Sequence, residues 1–201
     1  MEILFTVLLV LGAGAALYLR SREGAATGSR AAGATVIRAP SLGILNLLGE
    51  TARPLVAEDR EALGSSFRPA GESEGEVPRC DVLLLYCAIA DDGRIAGSER
   101  GLRELIRDSG AQVVVVGSPN EPEAYFAAAG QKGYGQANLV MTLDRKGGAF
   151  PGFFGRLFAS MFEGVSMPVA WARLAPQHAD AHADAPETIF ACERGQVAFA
   201  R

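Results

Sequence analysis

Three apolar runs of strand length, Val82–Tyr86, Val113–Val116 and Leu139–Leu143, recur along the second half of this chain, and each is followed by polar residues and turn formers. Continuous apolar runs, as opposed to alternating ones, fit strands buried on both faces, as in a parallel sheet. The segments between them carry helical signals. Ser98 is placed to cap a helix bearing Leu102, Leu105 and Ile106, with Glu99 and Arg103 spaced as an i,i+4 pair and Gly110 at the closing position. Asn120 with Pro122 predicts a second helix start, running to about Ala129. After the third strand, Phe150, Phe153, Phe154, Leu157, Phe158, Met161 and Phe162 fall on one helical face that Gly164 stops. This alternation predicts parallel strands joined by right-handed crossovers.

The flanks are read in the same way. Thr35-Val36-Ile37 predicts a short strand. Ser41 is placed to cap a helix carrying Leu42, Leu45 and Leu48, and a second helical piece runs from Pro54 to Leu63. Pro69 to Pro78 reads as an acidic surface loop. Ser166 begins a shorter helix with Val169, Trp171 and Leu174, ended by Pro176. Thr188–Cys192 and Val197–Ala200, joined by Glu193-Arg194-Gly195-Gln196, predict a terminal hairpin.

The N-terminus differs from all of this. Ile3 to Leu19 is apolar apart from Thr6, Gly12 and Gly14 and shows no polar stripe. As a helix it would span about 26 Å, the lower limit for crossing a hydrocarbon core. Met1 and Glu2 offer no positive charge ahead of it, whereas Arg20 and Arg22 follow at once. That asymmetry predicts an uncleaved single-pass signal anchor at residues 1–20, with the rest of the chain on the cytoplasmic side of the inner membrane. The alternative is export after signal-peptide cleavage, which the Ala13-Gly14-Ala15 run would suit. Gly12 and Ala16 form a small-xxx-small pair that reads either as a helix-packing face or as ordinary lipid-facing residues. Residues 21–33, rich in Gly, Ala, Ser and Arg, read as a flexible linker whose arginines suit anionic headgroups, and 34–201 as one α/β domain.

Charge narrows the function. A formal net charge of −4 argues against a surface built to neutralise phosphates, and nucleic acid is not an expected partner. The 3 cysteines, Cys80, Cys87 and Cys192, form neither a disulfide framework nor a zinc pattern. No cofactor and no metal site are expected. The 2 histidines, His178 and His182, are spaced i,i+4 as metal ligands on a helix would be, but the HADAHADA repeat reads as a solvated spacer. The glycines at 130, 133 and 135 follow a helix instead of opening one, so they make no phosphate loop.

Ligands of open α/β sheets sit outside the carboxyl ends of the strands. There the chain presents Cys87, Asp91 and Asp92 after the first run, Ser118, Asn120 and Glu121 after the second, and Thr142, Asp144 and Arg145 after the third. Cys87 reads either as a nucleophile awaiting a base or as a small buried hydrophobe. Asp91, Asp92 and Asp144 read as a cation site or as solvated turns. Arg145 suits a carboxylate or phosphate clamp, or an exposed loop position beside Asp144.

The stretch VLLLYC, a short loop, GSERGLRELIRDSGAQVVVV and later FFGRLFASMFEGVSMPVAW, together about residues 82–175, resembles the C-terminal half of CHAT domains, relatives of caspase peptidases. The resemblance implies a caspase/flavodoxin-like three-layer sandwich with a mainly parallel central sheet, and it puts the family's nucleophile at Cys87. The family's catalytic histidine lies upstream of the cysteine strand, and no histidine precedes Cys87 here. The expectation is therefore a degenerate, non-catalytic module that recruits or senses a protein partner or small ligand at the membrane. The alternatives are a cysteine hydrolase using Cys87, and a flavodoxin-like or TIR-like nucleotide-binding domain with Ser118, Asn120 and Arg145 in its pocket.

Overall fold

The computed structural model describes residues 34–124, 127, 137–145, 149–174 and 186–201, with Gly33–Arg201 forming one unit by contact. A mostly parallel sheet lies at its centre. Its strands in chain order are β2 (Ser41–Asn46), β3 (Arg68–Ser73), β4 (Val82–Tyr86), β5 (Val113–Val116), β6 (Asn138–Asp144) and β7 (Glu187–Cys192). In space they run β3-β2-β4-β5-β6-β7, all neighbours parallel except the last pair, β6 and β7. The three apolar runs are thus adjacent, parallel, and point their carboxyl ends the same way.

Helices cover both faces, and side chains alternate between them as a pleated strand requires. Leu42, Ile44, Val82, Leu84, Val113, Val115 and Val140 pack on one side against α1 (Arg53–Gly64) and α3 (Ala149–Phe162). Leu45, Leu83, Leu85, Val114, Val116, Leu139 and Met141 pack on the other against α2 (Leu102–Ser109). The phenylalanine face of α3 is core: Phe150, Phe153, Phe154 and Phe158 are buried, each contributing about 1.5–3 kcal/mol by leaving water. The helix stops at Gly164, whose φ of +88° suits a residue without Cβ. A short helix, α4 (Met167–Leu174), follows.

Several expectations change. Ser41–Asn46 is not a helix but the central strand β2. The spacing of Leu42, Leu45 and Leu48 fits a helix, yet Gly43 and Ile44 are buried as well, because β2 has a partner strand on each side. The acidic loop begins as a strand: β3 takes up Pro69 because an edge strand tolerates a missing N–H. The cap of helix α2 lies three residues beyond Ser98. Gly101 is its N-cap, and Glu104 Oε2 accepts from the Gly101 N–H at 3.1 Å; Ser98 Oγ instead accepts from Arg100 N–H at 3.0 Å. Glu99 therefore lies outside the helix, and its predicted pairing along the helix with Arg103 has no basis. Gly110 does close α2 in the left-handed region, φ +67°.

The terminal hairpin does not form. β7 joins the large sheet antiparallel to β6, while β8 (Val197–Ala200) pairs in parallel with β1 (Thr35–Arg38) as a separate two-stranded sheet. Phe199 of β8 lies among Phe67, Phe158 and Phe162, with ring centroids 5.2–6.1 Å away. That aromatic burial outweighs the short-range convenience of a hairpin. Among the described residues no helix is long and apolar enough to cross a membrane. The Ile3–Leu19 run, the glycines at 130, 133 and 135, and both histidines lie outside the described residues.

Candidate functional site at the carboxyl ends of the strands

Cys87 is the first residue beyond β4 and is fully buried. Burial alone pushes its thiol up from an ordinary 9.0 to about 12, so the sulfur stays protonated at neutral pH. Its peptide groups are engaged from the neighbouring loop. The Cys87 N–H donates to Ser118 Oγ at 3.0 Å, and the Ser118 hydroxyl donates to the Cys87 carbonyl at 2.6 Å. Asn120 Nδ2 donates to the same carbonyl at 3.0 Å, while Asn120 Oδ1 accepts from Ile89 N–H at 2.7 Å. Ser118 and Asn120, expected at a binding surface, thus staple the exit of β4 to the exit of β5.

Arg145 is not an exposed loop residue. It is 8% accessible, and its guanidinium grips Asp59 of α1 with Nη1 and Nη2, both at 2.9 Å from the carboxylate oxygens. Nη1 also donates to the Gly117 carbonyl at 2.9 Å, and the guanidinium carbon lies 3.8 Å from the Phe150 ring centroid. The clamp expected of Arg145 exists, but the chain supplies the carboxylate. Tyr86, at the end of β4, completes the cluster by donating to Asp59 Oδ2 at 2.6 Å. Burial, followed by the Asp59 charge, raises the Tyr86 phenol. Gly117 makes room for this ring, since a Cβ there would stand 2.7 Å from Tyr86 Cε1.

Asp91 and Asp92 occupy an exposed turn, where Asp92 Oδ1 accepts from Arg94 N–H at 3.0 Å. Asp144 ends β6, exposed and in register with Glu187 of β7. The nominated residues therefore share one end of the sheet without converging on one point. Among the described residues no His, Cys, Asp or Glu group is arranged to hold a metal ion.

Clefts open at this end among the described residues. One, of about 300 Å³, is lined by Pro119, Asn120, Glu121, Pro122, Leu143 and Glu187. Another, of about 150 Å³, lies beside the ends of β2 and β4 and includes Leu47, Ile95, Ser98 and Arg100. The residues missed from sequence are Asp59 and Tyr86. Asp59 stands three residues after Val56 and four before Leu63, both buried, so an acid lies on the apolar stripe of α1. A charge on such a stripe needs a partner, and that was the available signal.

No family model matches this chain, and comparison with curated proteins and with solved structures gives no match.

Proposed function

We propose that this chain is a non-catalytic α/β binding module, held at a bilayer by Ile3–Leu19, that takes up a protein partner or small ligand at the carboxyl ends of its parallel strands. The observation that carries this reading is the state of Cys87: a fully buried thiol, raised to about 12, whose peptide groups are tied down by Ser118 and Asn120. A nucleophile needs a thiolate and access to substrate. Burial opposes both.

The frame proposed is the three-layer, caspase/flavodoxin-like sandwich in degenerate form. Renumbered within the large sheet, the strands run 2-1-3-4-5-6, and the first five follow the flavodoxin-like order. That order also favours a nucleotide-binding reading. Against it, Ser118, Asn120 and Arg145 already bond within the fold. A thermal-shift panel of nucleotides tests this second reading, and a saturable stabilisation by one of them would promote it.

The main reading is tested with a thiolate-selective alkylating probe on the native chain at neutral pH. Exposed Cys192 should label and Cys87 should not. Any substrate turnover that disappears in Cys87→Ala would overturn the proposal.

A further inference from the structure

The large sheet reverses its direction of growth between β2 and β4. From β2 the chain passes through α1 to β3 on one side, and from β4 through α2 to β5 on the other. The two outgoing loops part at this point, and in open α/β sheets the gap they leave is where ligands settle. The Leu47 N–H donates to the Tyr86 carbonyl at 2.8 Å, so the two strand ends are held side by side beneath the gap.

The cleft of about 150 Å³ is at this position, with Leu47 just past the end of β2 and Ile95, Ala96, Gly97, Ser98 and Arg100 from the loop after β4. Leu47, Ile95 and Leu105 supply apolar walls. Arg100 is the one charged residue lining it, and no carboxylate does so among the described residues. Asp108 takes Arg100 Nη2, while no described residue accepts from Nε or Nη1. Ser98 Oγ accepts from the Arg100 N–H at 3.0 Å, which leaves the hydroxyl proton to donate. A cavity of this size holds about one benzene ring.

We infer that this cleft binds a small monocarboxylic acid: the apolar body lies on Leu47, Ile95 and Leu105, and the carboxylate accepts from Arg100 and Ser98. The inference rests on the reading of the carboxyl edge as a binding edge, and it names the position and the ligand class.

The test uses the full chain in detergent micelles, with amide chemical shifts of Gly97, Ser98 and Leu105 followed during titration. The probes are isovalerate and benzoate, with isovaleramide and isopentylamine as controls. Saturable shifts at these amides with the acids, and none with the controls, are expected. Arg100→Gln should weaken the acids at least tenfold and Ser98→Ala by a smaller factor, with thermal unfolding confirming that both variants fold. Absence of a saturable shift, an equal response to the amide, or unchanged affinity in Arg100→Gln would each overturn the site. Amide shifts confined to Asn120 and Glu121 would overturn it too, yet leave the wider binding-edge reading standing. A Cys87-dependent turnover would sink that wider reading instead.

Discussion

Arg145 and Asp59 are 86 positions apart in sequence, yet the guanidinium holds both carboxylate oxygens at 2.9 Å inside the protein. Asp59 sits mid-helix in α1 and Arg145 is the first residue past β6, so the pair fastens the helix to the far side of the parallel sheet. Both charges are out of water. Such a pair costs desolvation, and its worth depends on every remaining polar atom finding a partner. Here Tyr86 and the Gly117 carbonyl supply those partners.

Arg145→Met should leave the Asp59 carboxylate buried without its countercharge and destabilise the chain by about 3–5 kcal/mol. The double variant Asp59→Leu/Arg145→Met should recover most of that loss. Unfolding followed through Trp171, the sole tryptophan, reads both. A Met variant of wild-type stability would show that the pair contributes nothing.

Tyr86→Phe removes a donor to a charged acceptor and should cost about 1.5–3 kcal/mol. Gly117→Ala drives a methyl into the same ring and should cost about 1–3 kcal/mol by overpacking. Because the added methyl pushes on the ring that carries the bond to Asp59, part of its cost is loss of that bond, and the double variant should fall short of the sum of the singles. Strict additivity would separate the two effects.

How far all this could be seen in the sequence varied with the range of the interaction. Val82–Tyr86, Val113–Val116 and Leu139–Leu143 were legible because burial on both faces writes an unbroken apolar run, and the Phe150–Phe162 face because its period is local. β2 was misread because a central strand of only six residues can match helical spacing by chance. The pairing of β8 with β1 joins the two ends of the domain, and no local pattern carries that. The candidate site divides along the same line. Cys87, Ser118, Asn120 and Arg145 were correctly placed at strand ends, but what each touches is decided by neighbours distant in sequence.

Alkaline pH should destabilise the fold. Cys80 and Cys87 are both raised from 9.0 to about 12 by burial. Unfolded thiols ionise above about pH 9 while the folded ones hold their protons, so the folded state binds more protons and its stability falls with rising pH. The contribution is intact below about 9 and is lost as pH rises towards 12, at no more than about 1.4 kcal/mol per pH unit for each thiol. Cys87→Ala should flatten the decline measured by denaturant midpoints from pH 8 to 11. An unchanged slope would contradict the burial argument.

Phe199→Ala should cost about 3–5 kcal/mol, since the ring is buried against Phe67, Phe158 and Phe162. Removing Val197–Arg201 should be worse, because β1 then loses its ladder. Proteolysis near Thr35 should accelerate in the truncated chain, and resistance equal to wild type would show that β1 holds without β8.

If Ile3–Leu19 anchors the protein, the full chain should stay with vesicles through alkaline carbonate washing, and a chain lacking residues 1–20 should be released. Retention of the shortened chain would point to another attachment.

The pairing of Thr35–Arg38 with Val197–Ala200 also governs the order of events during synthesis. Thr35–Arg38 leaves the ribosome long before the backbone it must bond. Until Val197–Ala200 emerges, the nascent domain carries an unpaired edge, open to any passing strand. A ribosome stalled ahead of Val197 would therefore release a chain in which β1 never closes its ladder.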